Sequence, residues 1–198
     1  PFFIFNNNIQ VNPTLKHYMP TKARGIFVSF DSFNLDQRVL VNIPYKTPSP
    51  IQQQSISVVI AGKDVMGLAQ TGTGKTAAFA LPIIHHLLSG PRGHVRALIV
   101  APTRELAQQI HDTFVEFTKG TGLRSVTLYG GVNINPQINA LHRGVEIVVA
   151  CPGRLLDHVE QKTIDLSKVE MLVLDEADQM FDMGFLPFIR RLKRYVPK

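Results

Sequence analysis

The sequence has one cysteine, no tryptophan and no long apolar run. A single thiol, Cys151, cannot close an intramolecular disulfide, so a disulfide-stapled scaffold is excluded and a reducing, cytoplasmic setting is expected. No stretch approaches the ~20 apolar residues that a membrane-spanning helix needs, so no membrane partner is expected. The apolar opening Pro1-Phe2-Phe3-Ile4-Phe5 is too short for a secretory signal, and no basic segment precedes it. Seven histidines are present, but none shows metal-ligand spacing. His85 and His86 are adjacent, and adjacent residues on a helix do not face one another, so the histidines receive no role.

Acidic residues are missing from both ends. Residues 1–29 hold Lys16, Lys22 and Arg24 and no acid, and residues 190–198 hold five bases and no acid. The whole chain counts 21 Lys+Arg against 15 Asp+Glu, a formal charge of +6. The part between the ends therefore carries 13 bases against 15 acids, a net of −2. Overall charge thus permits a nucleic-acid partner without pointing to one.

What is present fits one packed domain: 198 residues, 44% hydrophobic and 18% charged. Residues 1–29 show neither helical nor strand period and read as an extension, poorly ordered or packed only locally. The chain opens at proline, and Met19 stands just upstream of the patterned region as a candidate natural start. From residue 30 the pattern changes. Continuous apolar runs at 64–69, 95–101, 145–151 and 169–174, with a weaker one at 125–129, predict parallel strands covered on both faces. Helical patterns lie between and after them, at 75–88, 103–119, 136–142, 154–161 and 179–195. Strand–helix alternation of this kind predicts an α/β fold, a parallel sheet sandwiched by helices.

The octet Ala69-Gln70-Thr71-Gly72-Thr73-Gly74-Lys75-Thr76 follows a predicted strand and opens a predicted helix. Glycines there let the backbone curl so that successive N–H groups converge on phosphate oxygens, and the helix start adds its positive dipole end. Lys75 suits a phosphate-binding cation and Thr76 a Mg²⁺ ligand. The plainer reading is a glycine-rich turn capping a helix. At the end of another apolar strand stand Asp175 and Glu176. Asp175 suits a metal-facing acid and Glu176 a base for the attacking water. Their plainer reading is helix capping, which suits Asp178 best.

Asp175-Glu176-Ala177-Asp178 resembles the signature of the DEAD-box ATP-dependent RNA helicases. Five further blocks agree in order: Pro48-Ser49-Pro50-Ile51-Gln52, the octet in the family's Ala-for-Gly form, Pro102-Thr103-Arg104-Glu105-Leu106, Gly130-Gly131, and Pro152-Gly153-Arg154. The similarity covers about residues 28–198, and bacterial members look nearest. It implies a RecA-like first domain that binds ATP and Mg²⁺, with catalysis by Lys75, Asp175 and Glu176. The nucleotide would be held by Phe30, Tyr45, Gln52, Thr71, Gly72, Thr73, Gly74, Lys75 and Thr76. Gln52 would read adenine and Phe30 would stack on it, with Phe33 a rival because residues 35–45 run about three residues short of the family's usual spacing. Pro44 stands where the family usually has Gly.

For RNA the resemblance implies sequence-independent backbone contacts by Pro102, Thr103, Arg104, Gly130, Gly131, Gly153 and Arg154. Asp178 would bond between motifs, and Thr76 with Asp175 would hold the metal. Cys151 stands where the family usually has Thr, and a thiol is the poorer hydrogen-bond donor. Family members continue through a Ser-Ala-Thr block into a second RecA-like domain that supplies arginine fingers. The expectation is an N-terminal half cut before its last strand or strands, with an exposed sheet edge. Such a half would hydrolyse ATP slowly and would not unwind RNA by itself. An ATP-gated RNA clamp fits the same motifs, and a DNA-directed motor is the more distant alternative.

Overall fold

The computed structural model describes residues 2–6, 28–68 and 72–197. Most of the N-terminal extension, Met19 included, and Ala69, Gln70 and Thr71 of the octet lie outside these residues. In chain order come strand β1 (Phe2–Asn6), a 3-10 turn (Phe30–Phe33), and helices α1 (Gln37–Leu40) and α2 (Pro50–Ile60). Strand β2 (Val65–Leu68), helix α3 (Lys75–Leu87), strand β3 (Ala97–Val100) and helix α4 (Arg104–Phe117) follow. Then come β4 (Ser125–Leu128), α5 (Asn135–His142), β5 (Ile147–Ala150), α6 (Pro152–Glu160), β6 (Met171–Asp175), α7 (Ala177–Asp182) and α8 (Leu186–Leu192).

All strands pair in parallel, in the order β2-β1-β6-β3-β5-β4. The five strands expected from apolar runs are all present. Their residues alternate between two cores because successive strand side chains point to opposite faces. Ala97, Ile99, Ile147, Val149 and Val173 pack with α2, α3 and α4 on one face. Leu98, Val100, Val148, Leu172 and Leu174 pack with Leu155 of α6, Met180 of α7 and Phe188 of α8 on the other. Every residue of β3 and β5 is buried, the reason these strands read as continuous apolar runs. Helix α4 buries Ala107, Ile110, Phe114 and Phe117, the three- and four-residue spacing of one helical stripe. Phe114 meets Phe79 of α3 with ring centroids 6.4 Å apart.

Three differences from the sequence expectation have physical causes. First, residues 2–6, read as part of an aperiodic extension, form an interior strand. Phe3 registers with Val65 and Val173, and Ile4 with Met66 and Leu174. Aromatic and β-branched residues favour strands, but five residues are too few to show a period, and the pairing partners lie far along the chain. Second, the last strand of the chain, β6, is interior, flanked by β1 and β3, so an exposed edge, expected without a named strand, falls to β2 and β4. Third, the helix expected over 179–195 is two. Gly184 adopts φ +80 after α7, and α8 restarts with Pro187 in its first turn, where its missing N–H has no helical partner to lose. Helix α2 was not expected. Its start is marked by Ser49 at the N-cap, whose N–H donates to Gln52 Oε1 at 2.9 Å, with Pro50 at the first position.

Candidate functional site

Because the strands are parallel, their C-terminal ends share one edge of the sheet, and that is where ligands bind in open α/β folds. The chain leaves β2 for the octet, β3 for Pro102-Thr103-Arg104, β4 for Gly130-Gly131, β5 for Pro152-Gly153-Arg154, and β6 at Asp175. All the expected motif blocks after Gln52 therefore lie along a single edge, and Gln52 is bonded to one of them.

In the described part of the octet, Gly72 has φ +82 and Gly74 has φ +89, conformations that side-chain-bearing residues rarely adopt. Gly74 is the N-cap of α3, so that helix's first turn, with its positive dipole end, begins at Lys75 and Thr76. Gln52 is 4% exposed. Its Nε2 donates to the Gly74 carbonyl at 3.1 Å, and its Oε1 accepts from the Ser49 N–H at 2.9 Å. The amide expected to read adenine is thus the strut between α2 and the phosphate loop. A methyl group on Gly74 would strike Gln52 Nε2. Phe30 and Phe33 are both buried in the core and meet edge-to-face, ring centroids 6.2 Å apart, while Tyr45 is exposed.

Lys75 and Asp175 are both buried. Asp175 Oδ1 accepts from the Glu176 N–H at 3.1 Å. Burial pushes the Asp175 carboxyl up to about 6; Lys75 pulls against that rise, while the charges of Glu176 and Asp178 add to it. A buried acid whose titration is shifted by burial and by a neighbouring lysine is the kind of group that clusters at functional sites. Glu176 has φ 52 and ψ 48, a left-handed conformation costly for a residue with a side chain, at the N-cap of α7. Asp178 lies in the first turn of that helix, where a carboxylate suits the dipole.

Along the other half of the edge, Thr103 caps α4 by accepting from the Leu106 N–H at 3.2 Å. Pro102 is buried behind it, and Arg104 lies over the Tyr129 ring, 4.7 Å from its centroid. Gly130, Gly131 and Gly153 are exposed, with open space around each, and Gly131 has φ +76. Arg154, expected to contact RNA phosphate, is engaged within the protein: its Nη2 donates to the Val132 carbonyl at 3.0 Å and its Nε lies 3.5 Å from Asp157. Cys151 sits at the N-cap of α6 without a side-chain cap bond. Burial, then the nearby Glu105 charge, pushes its thiol up to about 11. Sequence reasoning missed Tyr129, Gln137 and His158, which underlie this half of the edge. The one available signal was that His158 stands four residues after Arg154, on the same face of α6.

A positive-φ glycine bend opening a helix beside buried lysine and carboxylate, at the C-terminal edge of a parallel sheet, defines a phosphate-binding α/β domain. The DEAD/DEAH box helicase profile matches residues 49–198, and the chain belongs to that family. It is 47% identical to the Xenopus laevis ATP-dependent RNA helicase DDX42 over 92% of this chain and 20% of that protein. The mouse DDX42 is 46% identical over 85% of this chain and 19% of that protein. The Listeria monocytogenes ATP-dependent RNA helicase CshA is 43% identical over 85% of this chain and 33% of that protein. The chain thus spans a fifth to a third of the length of these relatives. The expected leaning toward bacterial members does not hold, since vertebrate proteins match at least as well.

Proposed function

We propose that this chain is the ATP-binding part of an RNA helicase, coupling Mg-ATP binding and hydrolysis to RNA binding and local strand separation. The observation that carries the reading is the single edge of the sheet on which the glycine bend, the buried Lys75–Asp175 neighbourhood and the Arg104, Gly130-Gly131 and Arg154 blocks all lie. The α3 N-terminus and Lys75 hold phosphate oxygens. Thr76 and Asp175 hold Mg²⁺. Among the described residues no group of three or more His, Cys, Asp or Glu side chains could hold a metal by itself. Phosphate oxygens and water would complete the shell, the usual way Mg²⁺ binds with a nucleotide. Bound Mg²⁺ would neutralise charge developing on the phosphates.

Glu176 takes a proton from the attacking water. Gln52 supports the loop and, with Tyr45, borders the base. Phe30 lies in the core beside Phe33, and Thr71 and Thr73 are assigned to nucleotide binding by their place in the octet. RNA lies along Pro102, Thr103, Arg104, Gly130, Gly131, Gly153 and Arg154, touched through backbone and phosphates without base reading. A second RecA-like domain supplies the arginines that complete hydrolysis, and Asp178 bonds between motifs. A reducing, cytoplasmic setting suits a protein with one cysteine held as the neutral thiol.

The test is a titration with fluorescent ATP, with and without Mg²⁺, on wild type, Lys75→Ala and Glu176→Gln. Lys75→Ala should weaken binding at least about tenfold, while Glu176→Gln should bind as wild type and lose hydrolysis when joined to the second domain. Wild-type turnover by Glu176→Gln would remove it as the base.

A further inference from the structure

We propose that Gln137 and His158 are positioning residues for the RNA-contacting loop at residues 129–132. The inference rests on the reading of Arg104, Gly130, Gly131 and Arg154 as an RNA face.

The loop is held at both ends, directly by α6 at one and by Gln137 of α5, which bonds in turn to His158 of α6, at the other. At its far end, Arg154 Nη2 donates to the Val132 carbonyl at 3.0 Å. At its near end, Gln137 Nε2 donates to the Tyr129 carbonyl at 3.1 Å. Gln137 Oε1 lies 3.1 Å from His158 Nε2, and His158 Nδ1 lies 2.7 Å from the Thr163 hydroxyl. A carbonyl only accepts, so the amide nitrogen of Gln137 must face Tyr129 and its oxygen must face His158. His158 therefore carries a proton on Nε2. Arg154 and His158 stand four residues apart on one face of α6, so one helix face holds the far end of the loop directly and the near end through Gln137.

Gln137 is 7% exposed and His158 0%, so a partner left unmade there costs more than it would at the surface. The two glycines between the clamps are exposed, and a Cβ on either would meet nothing within 4 Å. Tyr129 also carries the ring under Arg104, so a shift of Tyr129 moves Arg104 with it. Gln137 and His158 thereby set the spacing of the arginines and glycines without touching RNA.

The test uses the 198-residue chain and three readouts: anisotropy of a labelled oligouridine, binding of fluorescent ATP, and amide hydrogen exchange at Gly130 and Gly131. Gln137→Met keeps length but removes donor and acceptor; His158→Phe keeps a ring without N–H; His158→Gln keeps an N–H near the place of Nε2. The Met and Phe variants should weaken RNA binding about tenfold, speed exchange at both glycines, and leave ATP affinity within about twofold. His158→Gln should restore most of the RNA affinity. The proposal is overturned if Arg104→Ala weakens RNA binding while Gln137→Met and His158→Phe do not. It is also overturned if those two variants lose ATP binding in parallel, or if His158→Gln is as damaging as His158→Phe. If Arg104→Ala leaves RNA affinity unchanged, the RNA-face reading falls, and unchanged glycine exchange in Gln137→Met would then sink the positioning role by itself.

Discussion

At Asp175 a carboxyl group that is 2% exposed is raised by burial to about 6, against an ordinary value of 3.8. The unfolded chain releases this proton near 3.8 and the folded chain near 6. Between those values the folded state holds the extra proton, so this group's contribution to stability falls as the pH rises across that window. Above it the full cost of a buried charge applies, roughly 3 kcal/mol for two units. Asp175→Asn should therefore raise the Tm of the nucleotide-free chain at pH 7, and the gain should shrink toward pH 4 in thermal melts. The same substitution should abolish the Mg²⁺ dependence of nucleotide binding. A constant Tm gain across that range would remove the buried charge as its cause. Cys151 offers a second test at this scale. With its thiol pushed up to about 11, alkylation by iodoacetamide at pH 8 should be far slower than for a free cysteine and should rise only as that value is approached.

Single elements are held by devices with known magnitudes. Thr103 caps α4 through its bond to Leu106, so Thr103→Ala should cost about 1 kcal/mol in chemical denaturation, apart from any effect on RNA. Gly184, at φ +80, ends α7 where a one-helix reading ran straight through. A Cβ there meets nothing within 4 Å, so the cost of Gly184→Ala is conformational alone, about 1–2 kcal/mol. Gly74→Ala carries both penalties, a left-handed φ and a collision with Gln52, and should destabilise more than Gly184→Ala. Equal losses for the two would argue against Gln52 as the strut of the phosphate loop.

Across the whole molecule, β1 ties the first residues of the chain to β2 and β6, more than 50 and 160 residues later. Deleting residues 1–6 would leave the facing N–H and C=O groups of edge strand β2 and interior strand β6 unpaired, so the deletion should lower the Tm and promote association. A fully stable, monomeric deletion would contradict an interior β1. His158 sets an acid limit on the fold. Burial lowers its pKa, Arg154 lowers it further, and Asp157 opposes both. The folded state stays neutral while the unfolded state takes up a proton, so this contribution is complete above about 6.5 and is lost as the pH falls below it. Wild type should lose more stability than His158→Gln between pH 7 and 5.

Local chemistry determined much of this protein before any fold was known. Five strands, the glycine bend before Lys75, the paired acids after β6 and the six motif blocks are runs of neighbouring residues, and a run carries its own period or its own backbone demand. Long-range packing decided the rest. Residues 2–6 are too few to show a period and became a strand only by pairing with both β2 and β6. Gln52 reads as a ligand-facing amide until Ser49 and Gly74 engage both of its ends. Arg154 reads only as a cation for RNA phosphate until Val132 offers it a carbonyl. His158 had no legible role because Gln137, the partner that links it to the loop, lies 21 residues earlier on another helix. Hydrogen bonds between distant segments leave no local signature in sequence; they exist only once the sheet has brought those segments together.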